Sequence, residues 1–170
     1  MSDQDNIRDM LGLGESSYVR LTDDEMTLLL TVMKIPRIIG YELPDDVKPD
    51  SLQGAINTLR ARGGALQEAD GTLVIEESLL NMVATGARWS RLITIALKYE
   101  GDLSETFWIN MGRGKPVLHA IPEQGIHQFQ TIPDGTSLLL TIAGLLQLRL
   151  SDDRVPDGDA FTVAPAFIDE

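Results

Sequence analysis

The sequence predicts an α+β fold: an antiparallel four-stranded meander packed with helices, preceded by a helix–helix–hairpin–helix portion of winged-helix-like order. Three observations predict it. Apolar residues recur at helical spacing in three segments between Thr22 and Thr85. From Ala87 the pattern changes to short β-branched runs joined by glycine-containing turns. A long apolar run, Thr136–Leu150, then closes the domain. The chain has 170 residues, 43% hydrophobic and 24% charged, which suits a single domain with a proper core.

The elements follow in order. Residues 1–17 are polar and acidic and read as a flexible arm, with Met10, Leu11 and Leu13 able to dock as a turn. Tyr18-Val19-Arg20-Leu21 reads as a short strand or extended entry. Thr22 and Glu25 have the spacing of a capping box, in which hydroxyl and carboxylate satisfy orphan backbone N–H groups reciprocally. Asp23 and Asp24 suit the positive end of the helix dipole. Met26, Leu29, Leu30 and Met33 carry that helix to about Lys34, and Pro36 ends it. Residues 40–50 read as a loop with Pro44 and Pro49. A second helix starts at Asp50 or Ser51, runs through Leu52, Ala55, Ile56 and Leu59, and stops at Gly63-Gly64. Asp70-Gly71 between two apolar runs marks a hairpin. Leu79, Leu80 and Val83 mark a third helix, Glu76–Thr85.

Four strands are predicted at Trp89–Tyr99, Glu105–Met111, Pro116–Ile121 and Ile126–Ile132, turned by Gly101-Asp102, by Gly112–Lys115 and by Pro122–Gly125. Thr136–Leu150 is apolar on nearly every helical face, which predicts a helix enclosed by protein. At about fifteen residues it is short of the roughly 20 that cross a bilayer, so no membrane insertion is expected. Residues 151–170 read as an acidic tail or linker, and 18–150 as the single domain.

Charge and chemistry narrow the function. Fourteen Lys and Arg face twenty-six Asp and Glu, a net −12 concentrated towards the ends. Such a field repels phosphate backbones, so no nucleic acid is expected as a partner. There is no cysteine, hence no disulfide and no thiolate chemistry. The start has neither a basic nor an apolar signal region, which fits a cytoplasmic protein. Gly112-Arg113-Gly114-Lys115 lacks the spacing and the following helix of a phosphate loop; Pro116 follows, so a hairpin turn is expected. His119 and His127 fall on neighbouring strands able to face one another. No metal-binding spacing accompanies them, so exposed or half-buried strand histidines are expected. No nucleophile elbow is present. Asp152, Asp153, Asp157 and Asp159 miss the spacing of a calcium loop.

The expectation is therefore a non-enzymatic protein-binding module with no catalytic residue, cofactor or metal. The alternatives are a winged-helix-like regulator, whose second helix would present Gln53, Asn57, Arg60 and Arg62, and a small hydrolase. The strand 89–99 is the candidate sheet edge. Leu92, Ile93, Ile95 and Leu97, with Trp108 on the next strand, are the candidate partner-binding residues.

The order of signals over 18–150 resembles one half of an EspG-type protein, the cytosolic chaperone of type VII (ESX) secretion. The pieces are Leu21-Thr22-Asp23-Asp24-Glu25, then Leu59-Arg60-Ala61-Arg62-Gly63, then Ile126–Ile132 ahead of Thr136–Leu150. Val155-Pro156-Asp157-Gly158-Asp159 with Phe161-Thr162-Val163 resembles the stretch leading into a second half. The resemblance implies an α/β half-module and a chaperone or adaptor role. The sequence departs from the family in length, with one half in place of two. That departure implies a homodimer, or docking on a related chain, in place of an internal pair.

Overall fold

The computed structural model describes residues 18–98 and 104–150. The expectations for the acidic arm, the Gly101-Asp102 turn and the 151–170 tail lie outside those residues. The chain runs β1 (Tyr18–Thr22), α1 (Asp23–Met33), β2 (Arg37–Ile38), β3 (Tyr41–Glu42), α2 (Pro49–Ala61), β4 (Ala65–Gln67), β5 (Leu73–Ile75) and α3 (Glu77–Ala87). It continues with β6 (Arg91–Lys98), β7 (Ser104–Met111), β8 (Val117–Glu123), β9 (Ile126–Thr131) and α4 (Gly135–Leu150).

The fold is α+β. Its main sheet has five strands in the order β1-β9-β8-β7-β6, all antiparallel. This corrects the expected four. Val19, Leu21 and their neighbours do not simply lead into the first helix; they pair with β9, Leu21 opposite His127. A second small hairpin, β2–β3, also appears where a loop was expected, turning at Gly40 with φ +77°.

Local chemistry accounts for the boundaries. Thr22 caps α1 through the full capping box: the Glu25 N–H donates to the Thr22 hydroxyl and the Thr22 N–H to the Glu25 carboxylate. Such a cap contributes about 1 kcal/mol. The β4–β5 turn is Asp70-Gly71, where the Thr72 N–H donates to the Asp70 carboxylate at 2.8 Å.

Alternation along the strands gives the sheet two unlike faces. One face presents Val19, Leu21, Val117 and Phe129 to α1 and α3, in a core with Met26, Leu29, Leu30, Leu59 and Val83. The other presents Ile93, Ile95, Leu97, Phe107, Ile109 and Leu118 to α4. The two covers are staggered. The α1–α3 layer contacts strands β1, β9, β8 and β7, whereas α4 packs over the β6–β7–β8 end. Towards β9 and β1 the α4 face turns polar, with Arg20, Gln128 and Gln130 in register.

Candidate docking surface

Helix α4 packs by one side only. Leu138, Ile142, Leu145 and Leu146 are half-buried on the sheet, while Leu139 and Leu140 are 69% and 49% exposed. The expectation of an enclosed Thr136–Leu150 helix is therefore corrected. The sequence is apolar all round, but among the described residues only the sheet covers it. The outer side is an unpartnered apolar surface, of the kind that marks interaction sites when it is contiguous.

Among the described residues strand β6 pairs with β7 alone and forms one edge of the sheet. The side chains expected to meet a partner there are divided between the two faces. Ile95 and Leu97 are buried and Ile93 half-buried beneath α4. Leu92 and Trp108 lie on the opposite face, both half-buried. Trp108 packs beside His119, with ring centroids 5.2 Å apart, and against the β2–β3 turn. A Cβ at Gly40 would lie 3.3 Å from the Trp108 ring and 2.8 Å from Ile121, which is why a glycine sits there. The structure does not gather these five residues into one patch. What β6 presents outward is its backbone, with Thr94 and Ala96 on the face α4 does not cover.

The chain's distinctive polar feature is internal. His119 and His127 are fully buried, which corrects the exposed or half-buried expectation. They do face one another: His119 Nε2 and His127 Nδ1 are 3.1 Å apart, and His127 Nε2 is 3.1 Å from Asp23 Oδ1. A carboxylate only accepts, so His127 carries its proton on Nε2 and donates to Asp23. Its bare Nδ1 then accepts from His119 Nε2–H, and both rings are neutral. His119 Nδ1 is left bare and buried without a partner. Burial, then the neighbouring His127, pushes the His119 pKa down to about 3. Burial also lowers that of His127, against the opposing pull of Asp23. Phe129 stacks on His119 at 4.4 Å, and Tyr41 meets His127 edge-on at 5.1 Å. The chain of rings is sealed from solvent except at Asp23. It serves as a polar spine of the fold, and no group of three or more metal-ligating side chains occurs among the described residues.

Sequence reasoning missed Asp23 in this role because the contact spans 104 residues. It read Glu25 as a capping residue but missed its pairing with Arg62, whose guanidinium donates to the buried carboxylate. Arg62 also donates to the Arg20 carbonyl at 2.8 Å, and Arg60 donates to the Gln67 side chain at 3.1 Å. The arginines a DNA-reading second helix would need are thus held by the protein itself. A shallow open cleft of about 240 Å³ lies between Tyr18, Arg20, Leu59, Arg62 and Glu76. Its one lining carboxylate, Glu76, accepts from the Ser78 hydroxyl.

No family model matches the chain, and no curated protein matches it. Among solved structures it is similar to that of the Mycobacterium tuberculosis type VII secretion system chaperone EspG5 in complex with the PE25–PPE41 dimer. The TM-score is 0.55 at 10% sequence identity, over 78% of this chain and 52% of that one. The likeness is one of fold, and this chain spans about half the length of that neighbour.

Proposed function

We propose that this protein is a non-enzymatic protein-binding module with a chaperone or adaptor role in the cytoplasm, as the EspG-type resemblance implies. The observation that carries the reading is the outer side of α4, where Leu139 and Leu140 stand exposed on a helix otherwise seated on the sheet. Leucines in that state lose solvent contact on meeting a partner, at roughly 25 cal/mol per Å² of apolar surface covered. The fold shared with a chaperone whose structure is in complex with its protein partners supports the same reading. Among the described residues no helix is long and apolar enough to cross a membrane.

Tagged full-length chain, expressed in its source organism, is expected to co-purify with a defined partner. The Leu139→Glu/Leu140→Glu variant is expected to lose that partner while melting at the same temperature. Equal recovery by both would remove the α4 surface from the reading, and no specific partner at all would remove the reading.

The open edge of β6 supports a second occupant, another copy of this chain paired strand to strand across a two-fold axis. In that arrangement Leu92 and the β6 backbone meet the copy, while Ile93, Ile95 and Leu97 continue the core beneath α4. Light scattering at micromolar concentration distinguishes 18.7 kDa from twice that mass.

A further inference from the structure

The β6–β7 hairpin carries its charge unevenly. From Arg88 to Glu123 the sequence has five cations, Arg88, Arg91, Lys98, Arg113 and Lys115, and four acids, Glu100, Asp102, Glu105 and Glu123. Glu105 stands opposite Leu97, beside Lys98, at one end of the hairpin. The other four cations gather at the opposite end. Arg91 is in register with Met111, and the Ser90 N–H donates to the Met111 carbonyl at 2.8 Å. A Cβ on Gly112 would lie 3.4 Å from the Arg88 carbonyl, and Arg113 and Lys115 follow in the same turn. All four side chains are exposed, and none forms an ion pair with another described residue.

Four cations at one end of the sheet stand out in a chain of net −12. Asp134 lies close enough to Lys115 to feel its charge, but its carboxylate already accepts from the Ser137 N–H at the start of α4. That contact also fixes what lies next to the cluster. Leu139 and Leu140 follow Asp134 by one to two turns of α4, at about 5.4 Å per turn. Lys115 thus lies near the start of the helix whose outer side carries the two exposed leucines.

We propose that this end of the sheet docks an acidic segment of a partner protein. Its carboxylates would meet Arg88, Arg91, Arg113 and Lys115, and its apolar side chains Leu139 and Leu140. This inference rests on the protein-binding reading and names the chemistry of the partner. Guanidinium groups pair bidentately with carboxylates, and three of the four cations are arginines. A nucleic acid fits less well. Its phosphates continue past a short cluster into the negative field of the rest of the chain, and it has nothing to place on two leucines.

The test uses the full chain and a fluorescent Glu-rich peptide with interspersed leucines, against the same peptide with Gln for Glu. Anisotropy is expected to show binding of the Glu peptide alone, weakening as salt rises. Arg113→Glu/Lys115→Glu should lower the affinity roughly tenfold, with Lys48→Glu as a neutral control. Equal binding by the charge-reversed variant, or equal binding of the Gln peptide, would overturn the proposal. So would duplex DNA binding as tightly at the same salt, or no peptide binding at all. If charge reversal without peptide moved the amide resonances of residues 1–17 or 151–170, the chain's own acids would be the occupants and the partner assignment would fall. Co-purification separates this inference from the reading beneath it. A partner recovered equally by wild type and charge-reversed chain leaves protein binding standing and this surface refuted. A chain that recovers no partner loses both.

Discussion

The two faces of the sheet solve burial in different ways. Under α1–α3 the strands contribute Val19, Leu21, Val117, Phe129 and two histidines, which are joined in a line ending at Asp23 and leave only His119 Nδ1 of their ring nitrogens without a partner. Under α4 the strands contribute aliphatic residues and Phe107, packed by a helix that leaves Leu139 and Leu140 in solvent. The first face adds a line of polar contacts to its apolar core and is covered by α1 and α3. The second is held by apolar contact alone and has one cover. Polar groups left unpaired in a core cost more than misfitted apolar ones, so the first face tolerates few rearrangements. The second can exchange solvent for a partner without breaking any hydrogen bond.

The contrast can be broken in several places. The largest effect is expected from Phe129→Ala, which empties a fully buried site stacked on His119 and next to Gly86. Urea unfolding should show a loss of about 3–5 kcal/mol. A loss under 1 kcal/mol would mean that the histidine face is not the rigid one.

Acid is expected to act next, and on the same face. His119 has a folded pKa lowered from 6.5 to about 3, and that of His127 is lowered as well. The unfolded chain therefore takes up protons first as pH falls below 6.5. Stability is full above that value and declines towards pH 3, by at most about 1.4 kcal/mol per pH unit for each histidine. Melting temperatures from pH 7 to 4 should fall in the wild type and fall less steeply in His119→Leu, where only His127 of the two remains. A variant with the same slope as the wild type would assign the acid sensitivity to other groups.

A smaller loss is expected from Arg62→Met. It leaves the buried Glu25 carboxylate without its guanidinium partner, but Arg62 is 44% exposed and water can replace part of the contact. About 1–3 kcal/mol is expected, and Glu25→Gln in the same background should recover some of it. The smallest effect belongs to the α4 side. Leu139→Ala should change stability by no more than about 0.5 kcal/mol. A drop of several kcal/mol would mean that the outer side is covered after all.

Much of the fold was legible because its signals are local. Thr22 and Glu25 announce the cap, Asp70-Gly71 the hairpin, and Pro36 and Gly63 the helix ends. What escaped depends on contacts between distant residues. Tyr18–Thr22 carries no mark telling a fifth strand from an extended entry; only its pairing with β9 decides. The all-round apolar pattern of Thr136–Leu150 could not separate an enclosed helix from one whose outer leucines stand in solvent, since both have the same residue types. For the candidate site, alternation along β6 placed its residues on strand faces. Which face α4 would cover lay beyond any spacing, so Ile95 and Leu97 were read as available when they are core.

The pairing of β1 with β9 also has a consequence in time. The first strand described closes against the ninth, with Leu21 opposite His127 and the Asp23 N–H donating to the Gly125 carbonyl. A chain emerging from the ribosome at roughly 5–20 residues per second must wait several seconds between the appearance of β1 and that of its mate. During that interval Leu21, Met26 and Leu29 have no sheet to rest on. Contacts of such long sequence separation slow folding, because the intervening loop must close before they form. Folding should therefore begin in the β6–β9 meander, whose neighbours are close in sequence, with β1 and the amino-terminal end of α1 docking last. The same strand, joined late and on one side only, is then the first to leave when the native state opens locally. Hydrogen exchange at Val19 and Leu21 should outpace that at Ile109 and Leu118.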